Sequence, residues 1–173
     1  MDGTIHYRQA LTRAMAYCSQ SERCRSDVVA KLRFWELQEE EITGAIDYLV
    51  SERFLNEERF VEFYINDKLR FNKWGRVKLI YMLRQKQIPE ELIRKALGSI
   101  DEDFYKKVLS DLLKSKIKSV KGITDYERKG KLAVFAQGHG FEADLAFQVA
   151  GQVIGSEQRN EDEWTGRLYD GTT

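Results

Sequence analysis

The sequence contains few of the residues that build disulfide frameworks, metal sites and turns. Its 173 residues include one proline, two cysteines and two histidines, and its formal net charge is zero. Two cysteines are too few for a disulfide framework, and two isolated histidines do not provide the spacing of a metal site. We therefore expect Cys18 and Cys24 to be unpaired thiols in a reducing cytoplasm, and we expect neither a metal nor another cofactor.

Long apolar runs and catalytic motifs are also missing. No run approaches the roughly 20 apolar residues that span a bilayer, and the first residues, MDGTIHYRQ, do not resemble a signal peptide. No glycine loop ends in Lys-Ser or Lys-Thr, so ATP hydrolysis is not expected. The Gly138-His139-Gly140 sequence fits a turn between two helices. These observations predict a cytoplasmic protein that is not an enzyme and has no catalytic residues.

What is present is a repeat. Apolar residues or alanines recur at matching offsets around Leu37, Ile88 and Phe141, which lie 51 and 53 residues apart. Each copy contains a long amphipathic segment followed by two shorter helical segments joined by a turn. We therefore predict an all-α fold of three tandem three-helix repeats, each helix-turn-helix-like, that stack into an elongated curved rod.

The repeat also sets the predicted boundaries. The first repeat covers residues 1–52, the second covers 53–100 and the third covers 101–154. Residues 155–173 contain five acidic residues, two arginines and three glycines without an apolar stripe, which indicates a flexible acidic tail.

Local signals place the long helix of each repeat. Apolar spacing predicts these helices near 7–19, 57–71 and 102–119. Asn56 and Asp101 precede the second and third of them, and both residue types favour the N-cap position.

The second repeat carries the strongest charge segregation. Residues 68–88 contain seven basic residues and no acidic residue, although the whole chain has 28 of each sign. Apolar residues at helical spacing run through the same stretch, which predicts a basic amphipathic helix that is anchored by its apolar side. Its cations either bind an anionic partner or form an ordinary solvated surface.

Candidate partner-binding residues combine this stretch with basic residues around the first turn. They are Arg25, Lys31, Arg33, Lys68, Arg70, Lys73, Trp74, Arg76, Lys78, Arg84 and Lys86. Trp74 either stacks on a nucleic-acid base or packs into the core. The third repeat adds Lys114, Lys116, Lys118 and Lys121 without an intervening acid. Stacking in register could align all of these cations along one side of the rod.

Several segments resemble one known family. They are Phe54–Phe60 (FLNEERF), Lys73–Lys78 (KWGRVK), Leu83–Ile88 (LRQKQI), Arg25–Val29 (RSDVV) and the Lys31-Leu32 pair. On these residues the chain resembles the RecX family, bacterial regulators of the RecA recombinase. The resemblance covers roughly residues 7–153 and is most specific in the second repeat. Glu36 and Gln87 stand where the family usually has a glycine at the turn.

The resemblance implies a fold of tandem three-helix repeats and a monomer that binds in the groove of the RecA filament on DNA. It also implies modulation, usually inhibition, of strand exchange, ATPase and coprotease activities, and so a role in recombination, DNA repair and the SOS response. The candidate cations would then face the filament, and they could also bind single- or double-stranded DNA weakly. Two other functions remain open: a stand-alone DNA-binding helical-repeat protein, and a helical-repeat scaffold for another protein.

Overall fold

The structure, a computed structural model, describes the backbone of residues 2–169 and the side chains of residues 6–158. Over that part of the chain it consists of nine α-helices and no strand, which confirms the all-α prediction. The helices are α1 (Asp2–Gln20), α2 (Arg25–Phe34), α3 (Glu39–Ser51), α4 (Glu57–Asn72), α5 (Arg76–Gln85), α6 (Glu90–Gly98), α7 (Glu102–Ile117), α8 (Asp125–Gly138) and α9 (Ala143–Tyr169).

The helices follow the order that the repeat predicts, with a long helix before each pair. The long helices α1, α4 and α7 overlap the three predicted segments. Both predicted N-caps are confirmed: Asn56 Oδ1 accepts the Arg59 amide at 2.9 Å, and Asp101 Oδ1 accepts the Phe104 amide at 2.6 Å. Each of these bonds satisfies an amide that has no partner inside its own helix.

One turn recurs in all three repeats between the last two helices. The residue before each reference position is left-handed, with φ of 62° at Glu36, 59° at Gln87 and 87° at Gly140. The next amide then donates to the carbonyl five residues earlier: Leu37 to Leu32, Ile88 to Leu83 and Phe141 to Ala136, each at 3.2 Å. This is the Schellman motif, and its apolar residue packs back onto the helix that it ends. Glu36 and Gln87 therefore adopt a left-handed conformation that has a lower free-energy cost for glycine, which lacks a Cβ atom.

The contacts divide the chain into two compact units. Unit 1 contains Met1–Asp67 and Ile80–Ser99, and unit 2 contains Lys68–Leu79 and Ile100–Thr173. The division falls inside α4 and α5, so the second repeat contributes to both units. The repeat boundaries at 52, 100 and 154 stay a prediction.

In unit 1, the first repeat lacks a side-chain cap for α2 and obtains one from the second repeat. Cys24 occupies the N-cap position, but its side chain accepts no backbone amide of the helix. Glu57 Oε1 instead accepts the Arg25 amide at 3.3 Å, and Ser26 Oγ donates to the Lys86 carbonyl at 2.7 Å. The first amide of α2 is therefore satisfied by the following repeat, and a side chain of α2 satisfies a carbonyl of that repeat in return.

In unit 2, the start of α5 contacts the third repeat in the same way. The Arg76 amide donates to the Tyr105 hydroxyl at 2.8 Å, and the Gly75 amide donates to the His139 carbonyl at 2.9 Å. A Cβ atom on Gly75 would lie 2.3 Å from the Gly140 carbonyl oxygen, so this approach requires glycine. The third repeat caps α8 itself, because Thr124 accepts the Glu127 amide.

The carbonyls of Trp35, Lys86 and His139 are equivalent in the repeat. Those of Lys86 and His139 accept hydrogen bonds from the preceding repeat, as described above. In the first repeat, His6 Nε2 lies 2.8 Å from the Trp35 carbonyl and donates to it. In the first repeat, the equivalent carbonyl thus accepts its hydrogen bond from a side chain of α1.

Each unit has its own apolar core. Ala14, Val28, Leu32, Ala45 and Leu49 are fully buried in unit 1. The largest fully buried side chains of unit 2 include Tyr105, Leu109, Leu113, Leu132 and Phe141. The residues of unit 1 come from all three helices of the first repeat, and in unit 2 Ala146 and Ala150 of α9 are fully buried against those of α7 and α8. Each helix is therefore held in its unit by burial of one apolar stripe.

The C-terminal end differs from the sequence prediction. Helix α9 continues to Tyr169, so a flexible tail beginning at residue 155 is wrong for residues 155–169. Residues 170–173 lie outside the described residues. Extending an existing helix costs far less than nucleating one, and residues 155–169 contain no proline to stop it. A helix can therefore persist here without a continuous apolar stripe.

Candidate partner-binding surface

The turn between α4 and α5 presents the basic stretch of unit 2. Helix α4 ends at Asn72, Lys73 is left-handed with φ of 55°, and the Trp74 amide donates to the Lys68 carbonyl at 3.1 Å. Gly75 then allows the backbone to contact the third repeat closely, as described above. The KWG sequence therefore reverses the chain at one defined place and fixes the position of Trp74.

Cations and aromatic rings alternate around this turn. Lys78 Nζ lies 4.6 Å from the centroid of the Trp74 ring, and Lys68 Nζ lies 5.9 Å from it. The Arg70 guanidinium carbon lies 4.8 Å from the centroid of the Phe104 ring. Such contacts hold a cation in place while leaving it charged. We call this the Trp74 surface, and it consists of Lys68, Arg70, Phe71, Lys73, Trp74, Lys78 and Phe104.

An exposed apolar side chain lies within this surface. Phe71 is 78% exposed, far more than a phenylalanine needed for the core. With Arg70, Lys73 and Phe104 it lines a groove that continues along α7 past Val108. An exposed aromatic beside fixed cations is typical of the residues that anchor protein interfaces.

Arg76, in contrast, is directed into unit 2. Its side chain is only 20% exposed, forms an ion pair with Glu102 and lies 3.3 Å from Glu142. Its guanidinium carbon is 4.0 Å from the Tyr105 ring centroid, and the Tyr105 hydroxyl donates to Glu142 at 2.7 Å. Burial disfavours its charge, but the hydrogen bonds to the two carboxylates outweigh burial and raise the pKa of Arg76. This arginine is a structural ion-pair residue.

Lys86 is internal to unit 1 in a similar way. Its ammonium group lies 2.9 and 3.1 Å from the two carboxylate oxygens of Asp27, and its side chain is 27% exposed. Burial disfavours its charge, but hydrogen bonding to Asp27 outweighs burial and raises the pKa of Lys86. The pair links the first repeat to the turn of the second.

Arg33 and Arg84 occupy equivalent places in their repeats and bind equivalent partners. Each forms two hydrogen bonds with the glutamate six residues later, Glu39 or Glu90. These pairs are exposed, and hydrogen bonding to the arginine lowers the pKa of each glutamate. They bridge the two helices of a pair across the turn and contribute little to stability.

The remaining candidates, Arg25 and Lys31, are exposed in unit 1. Arg25 lines a shallow groove with Val29, Arg33 and Pro89. Lys31 Nζ is 5.7 Å from the Tyr17 ring centroid. These two cations are on the surface but have fewer aromatic neighbours than the Trp74 surface.

The structure divides the sequence candidates into groups. Lys68 and Lys78 lie on the Trp74 ring, and Arg70 and Lys73 lie with Phe104 along the neighbouring groove. Arg25 and Lys31 are exposed in unit 1, Arg33 and Arg84 form exposed ion pairs, and Arg76 and Lys86 form ion pairs inside the fold. Sequence reasoning did not include Phe104 among the candidates, because its helical position predicted a core residue. The Phe104 ring is half-buried beneath Arg70. The two residues are 34 positions apart, so no local sequence pattern predicts their contact.

The same part of the chain also bears on metal, thiol and membrane chemistry. No group of histidine, cysteine and acidic side chains that could hold a metal ion occurs among the described residues. Cys18 and Cys24 are unpaired and buried, and burial raises the pKa of both thiols. None of the described helices is long and apolar enough to span a membrane.

Comparison with known proteins gives one consistent result. A family model described as RecX, second three-helix domain, matches residues 56–97. Regulatory protein RecX of Clostridium beijerinckii is 29% identical over 143 residues, which cover 82% of this chain and 66% of that protein. Regulatory protein RecX of Prosthecochloris aestuarii is 29% identical over 147 residues, which cover 85% of this chain and 95% of that protein.

Solved structures agree on the fold. The crystal structure of RecX from Lactobacillus salivarius has a TM-score of 0.78 at 18% identity and covers 87% of this chain and 98% of that chain. A second crystal structure, of a regulatory protein RecX, has a TM-score of 0.75 at 20% identity and covers 86% of this chain and 73% of that chain. The matched second repeat and the two sequence relatives show that the chain belongs to the RecX family of regulatory proteins.

Proposed function

We propose that this protein regulates a RecA recombinase by binding the RecA–DNA filament, and that it inhibits strand exchange, ATPase and coprotease activities. Membership of the RecX family supports the choice of partner. The single observation that carries the proposed contact is the Trp74 surface, where cations are positioned on aromatic rings beside an exposed phenylalanine.

The chemistry of this surface suits a protein partner with acidic side chains. Arg70 and Lys78 are held by Phe104 and Trp74, so they lose less conformational freedom on binding than free side chains would lose. Phe71 offers an apolar anchor next to them, and arginine and aromatic residues are enriched at protein interfaces. Acidic side chains of a filament groove would complement the cations, and an apolar pocket would accept the phenylalanine.

Inhibition then follows from differential affinity. A ligand shifts a conformational equilibrium only by as much as its affinities for the two states differ. A regulator that binds an inactive or disassembling state of the filament more tightly would lower ATPase activity without any chemistry of its own. Arg76 and Lys86 are excluded from the proposed contact because their charges are satisfied inside the fold.

Titration of RecA ATPase activity on single-stranded DNA tests the proposal. The wild-type protein should inhibit, and Arg70→Glu/Lys78→Glu should shift the half-inhibitory concentration upward by about tenfold or more, since each lost charge contact is worth about 1.5–3 kcal/mol. The matched control, Arg94→Glu/Lys106→Glu, changes the charge equally at exposed positions elsewhere. Circular dichroism should show the same helix content for both variants.

Two results would contradict the proposal. One is a wild-type protein that leaves ATPase activity unchanged at any ratio to RecA. The other is equal inhibition by the Arg70/Lys78 variant and the wild type, which would mean that the Trp74 surface is merely solvated.

A further inference from the structure

A second cationic surface lies on the third repeat, on residues that the proposed function does not use. Its lysines come from the end of α7, the segment that follows it and α8. They are Lys114, Lys116, Lys118, Lys121, Lys129 and Lys131. Within the described part of unit 2, carboxylates form ion pairs with Arg76, Lys107 and Arg128, and with none of these six lysines.

Specific contacts hold the connecting segment against the start of α8. Lys131 Nζ donates to the Lys121 carbonyl at 2.6 Å, and the Ile123 amide donates to Glu127 Oε2 at 2.9 Å. Lys116 Nζ lies 5.2 Å from the centroid of the Phe135 ring, which ties the last turn of α7 to α8. Lys116, Lys121 and Lys131 are therefore part of one folded feature, and Lys118 lies on the connecting segment that these contacts hold.

Aromatic rings lie where the first half of α8 contacts α9. Tyr126 is 75% exposed, and its ring meets the Phe147 ring edge-on with centroids 6.2 Å apart. Lys129 Nζ sits 3.7 Å from the Phe147 centroid, and its side chain passes over Gly151, where an added Cβ would approach Lys129 Cε to 3.1 Å. A fixed ammonium group thus stands beside a tyrosine whose ring is largely open to solvent.

The presence of lysine rather than arginine on this surface favours nucleic acid over protein as the partner. All six unpaired cations are lysines, and lysine is depleted at protein interfaces, where arginine is enriched. The one arginine nearby, Arg128, is engaged by Glu157 at 2.6 Å and Asp125 at 3.6 Å. Lysine acts as a compact point charge that suits phosphates, and an open tyrosine ring can stack on an unpaired base.

We propose that the third repeat binds single-stranded nucleic acid, with Lys118, Lys121 and their neighbours on the phosphates and Tyr126 stacked on a base. A duplex hides its bases from such a ring, so single strands bind more tightly. None of these residues belongs to the Trp74 surface. Binding here therefore does not depend on the proposed regulation of RecA.

Fluorescence anisotropy with labelled oligothymidylate, measured over a range of salt concentrations, tests this assignment on the full chain. Each phosphate contact to a single strand contributes about 0.7 to the slope of log affinity against log salt. Lys118→Gln/Lys121→Gln should therefore lower that slope by about 1.4. The control Lys106→Gln/Lys107→Gln, on the first half of α7, should leave it unchanged.

Tyrosine substitutions separate stacking from charge. Tyr126→Ala should weaken binding by about tenfold at every salt concentration without changing the slope, because stacking on an aromatic ring does not release counterions. Tyr126→Phe keeps the ring and should bind as the wild type does. Arg70→Glu/Lys78→Glu should still bind the oligonucleotide even when it fails to inhibit RecA.

Three outcomes would overturn the inference. They are no binding of the oligonucleotide by the wild type at low salt, equal salt slopes for the two double-lysine variants, and a hairpin duplex that binds as tightly as the single strand. Loss of binding with Arg70→Glu/Lys78→Glu alone would assign nucleic-acid binding to the Trp74 surface instead. Each result is independent of whether the protein inhibits RecA ATPase.

Discussion

Replacing Arg76 with alanine should destabilise the protein more than the equivalent change at Arg84. Both arginines belong to α5, and both bind carboxylates. The Arg76 side chain is 20% exposed and that of its partner Glu142 is 36% exposed, whereas the Arg84 and Glu90 side chains are 58% and 57% exposed. The two variants therefore compare an internal ion pair with a solvated one on the same helix.

The expected loss in the free energy of unfolding follows from the contacts that Arg76→Ala removes and the carboxylates that it leaves without a partner. The change removes the hydrogen bonds to Glu142 and Glu102 and the stacking on the Tyr105 ring. A hydrogen bond to a charged group is worth about 1.5–3 kcal/mol, and breaking a fully buried ion pair costs about 3–5 kcal/mol. Because both carboxylates keep some contact with water, we expect a loss of about 2–3 kcal/mol. For Arg84→Ala we expect no resolvable change, since exposed pairs are screened.

Urea unfolding followed by circular dichroism and by tryptophan fluorescence measures the difference. With a slope of about 2 kcal/mol per molar urea, the Arg76→Ala midpoint should fall by about 1–1.5 M. The Arg84→Ala midpoint should match that of the wild type. Equal midpoints for the two variants would refute the assignment of Arg76 to the interior. So would a folded Arg76→Ala protein that no longer inhibits RecA, because that result would place this arginine at the partner interface.

Four further experiments test other parts of the structure. Gln87→Gly should raise the free energy of unfolding by about 0.5–1 kcal/mol in urea melts, because φ of 59° strains any residue with a Cβ. Gly140→Ala should lower it by more than 2 kcal/mol in the same assay, since the new Cβ would lie 2.3 Å from a lysine Cβ. The thiols of Cys18 and Cys24 should react with Ellman's reagent only as fast as the protein opens, because both are buried and burial raises the pKa of each thiol. The pKa of Glu90 lies below its usual 4.5, so the folded state favours the carboxylate. The small contribution of its pair with Arg84 is present above about pH 4.5 and is lost as the pH falls through the lowered pKa. Because hydrogen bonding to Arg84 is the main cause of the shift, NMR titration should find the pKa of Glu90 lowered in the wild type and returned toward 4.5 in Arg84→Ala.

The sequence by itself determined the helices, their order and their phase. Caps at Asn56 and Asp101, the apolar spacing and the repeated turn are local signals, because each depends on residues within about five positions of one another. The structure confirms the two caps and the three long helices. Even the left-handed conformation of Gln87 follows from its place in the repeat, since the equivalent residue in the third repeat is Gly140.

Local sequence signals did not predict where α9 ends. Residues 155–169 have no apolar stripe, and a tail was predicted from that absence. The structure extends α9 through them. A helix that is already nucleated continues through polar residues at small cost, so composition alone does not locate its end.

Only the tertiary structure decided which cations are available to a partner. Arg76 and Lys78 are two positions apart in one basic run, yet Arg76 meets a carboxylate 66 residues away while Lys78 lies on the Trp74 ring. Lys86 meets a carboxylate 59 residues away. Charge along a chain is visible in the sequence, but its neutralisation depends on which distant carboxylates the packing of the repeats brings within about 4 Å. That distance is a property of the fold, and it separates cations that stabilise this protein from those that can bind a partner.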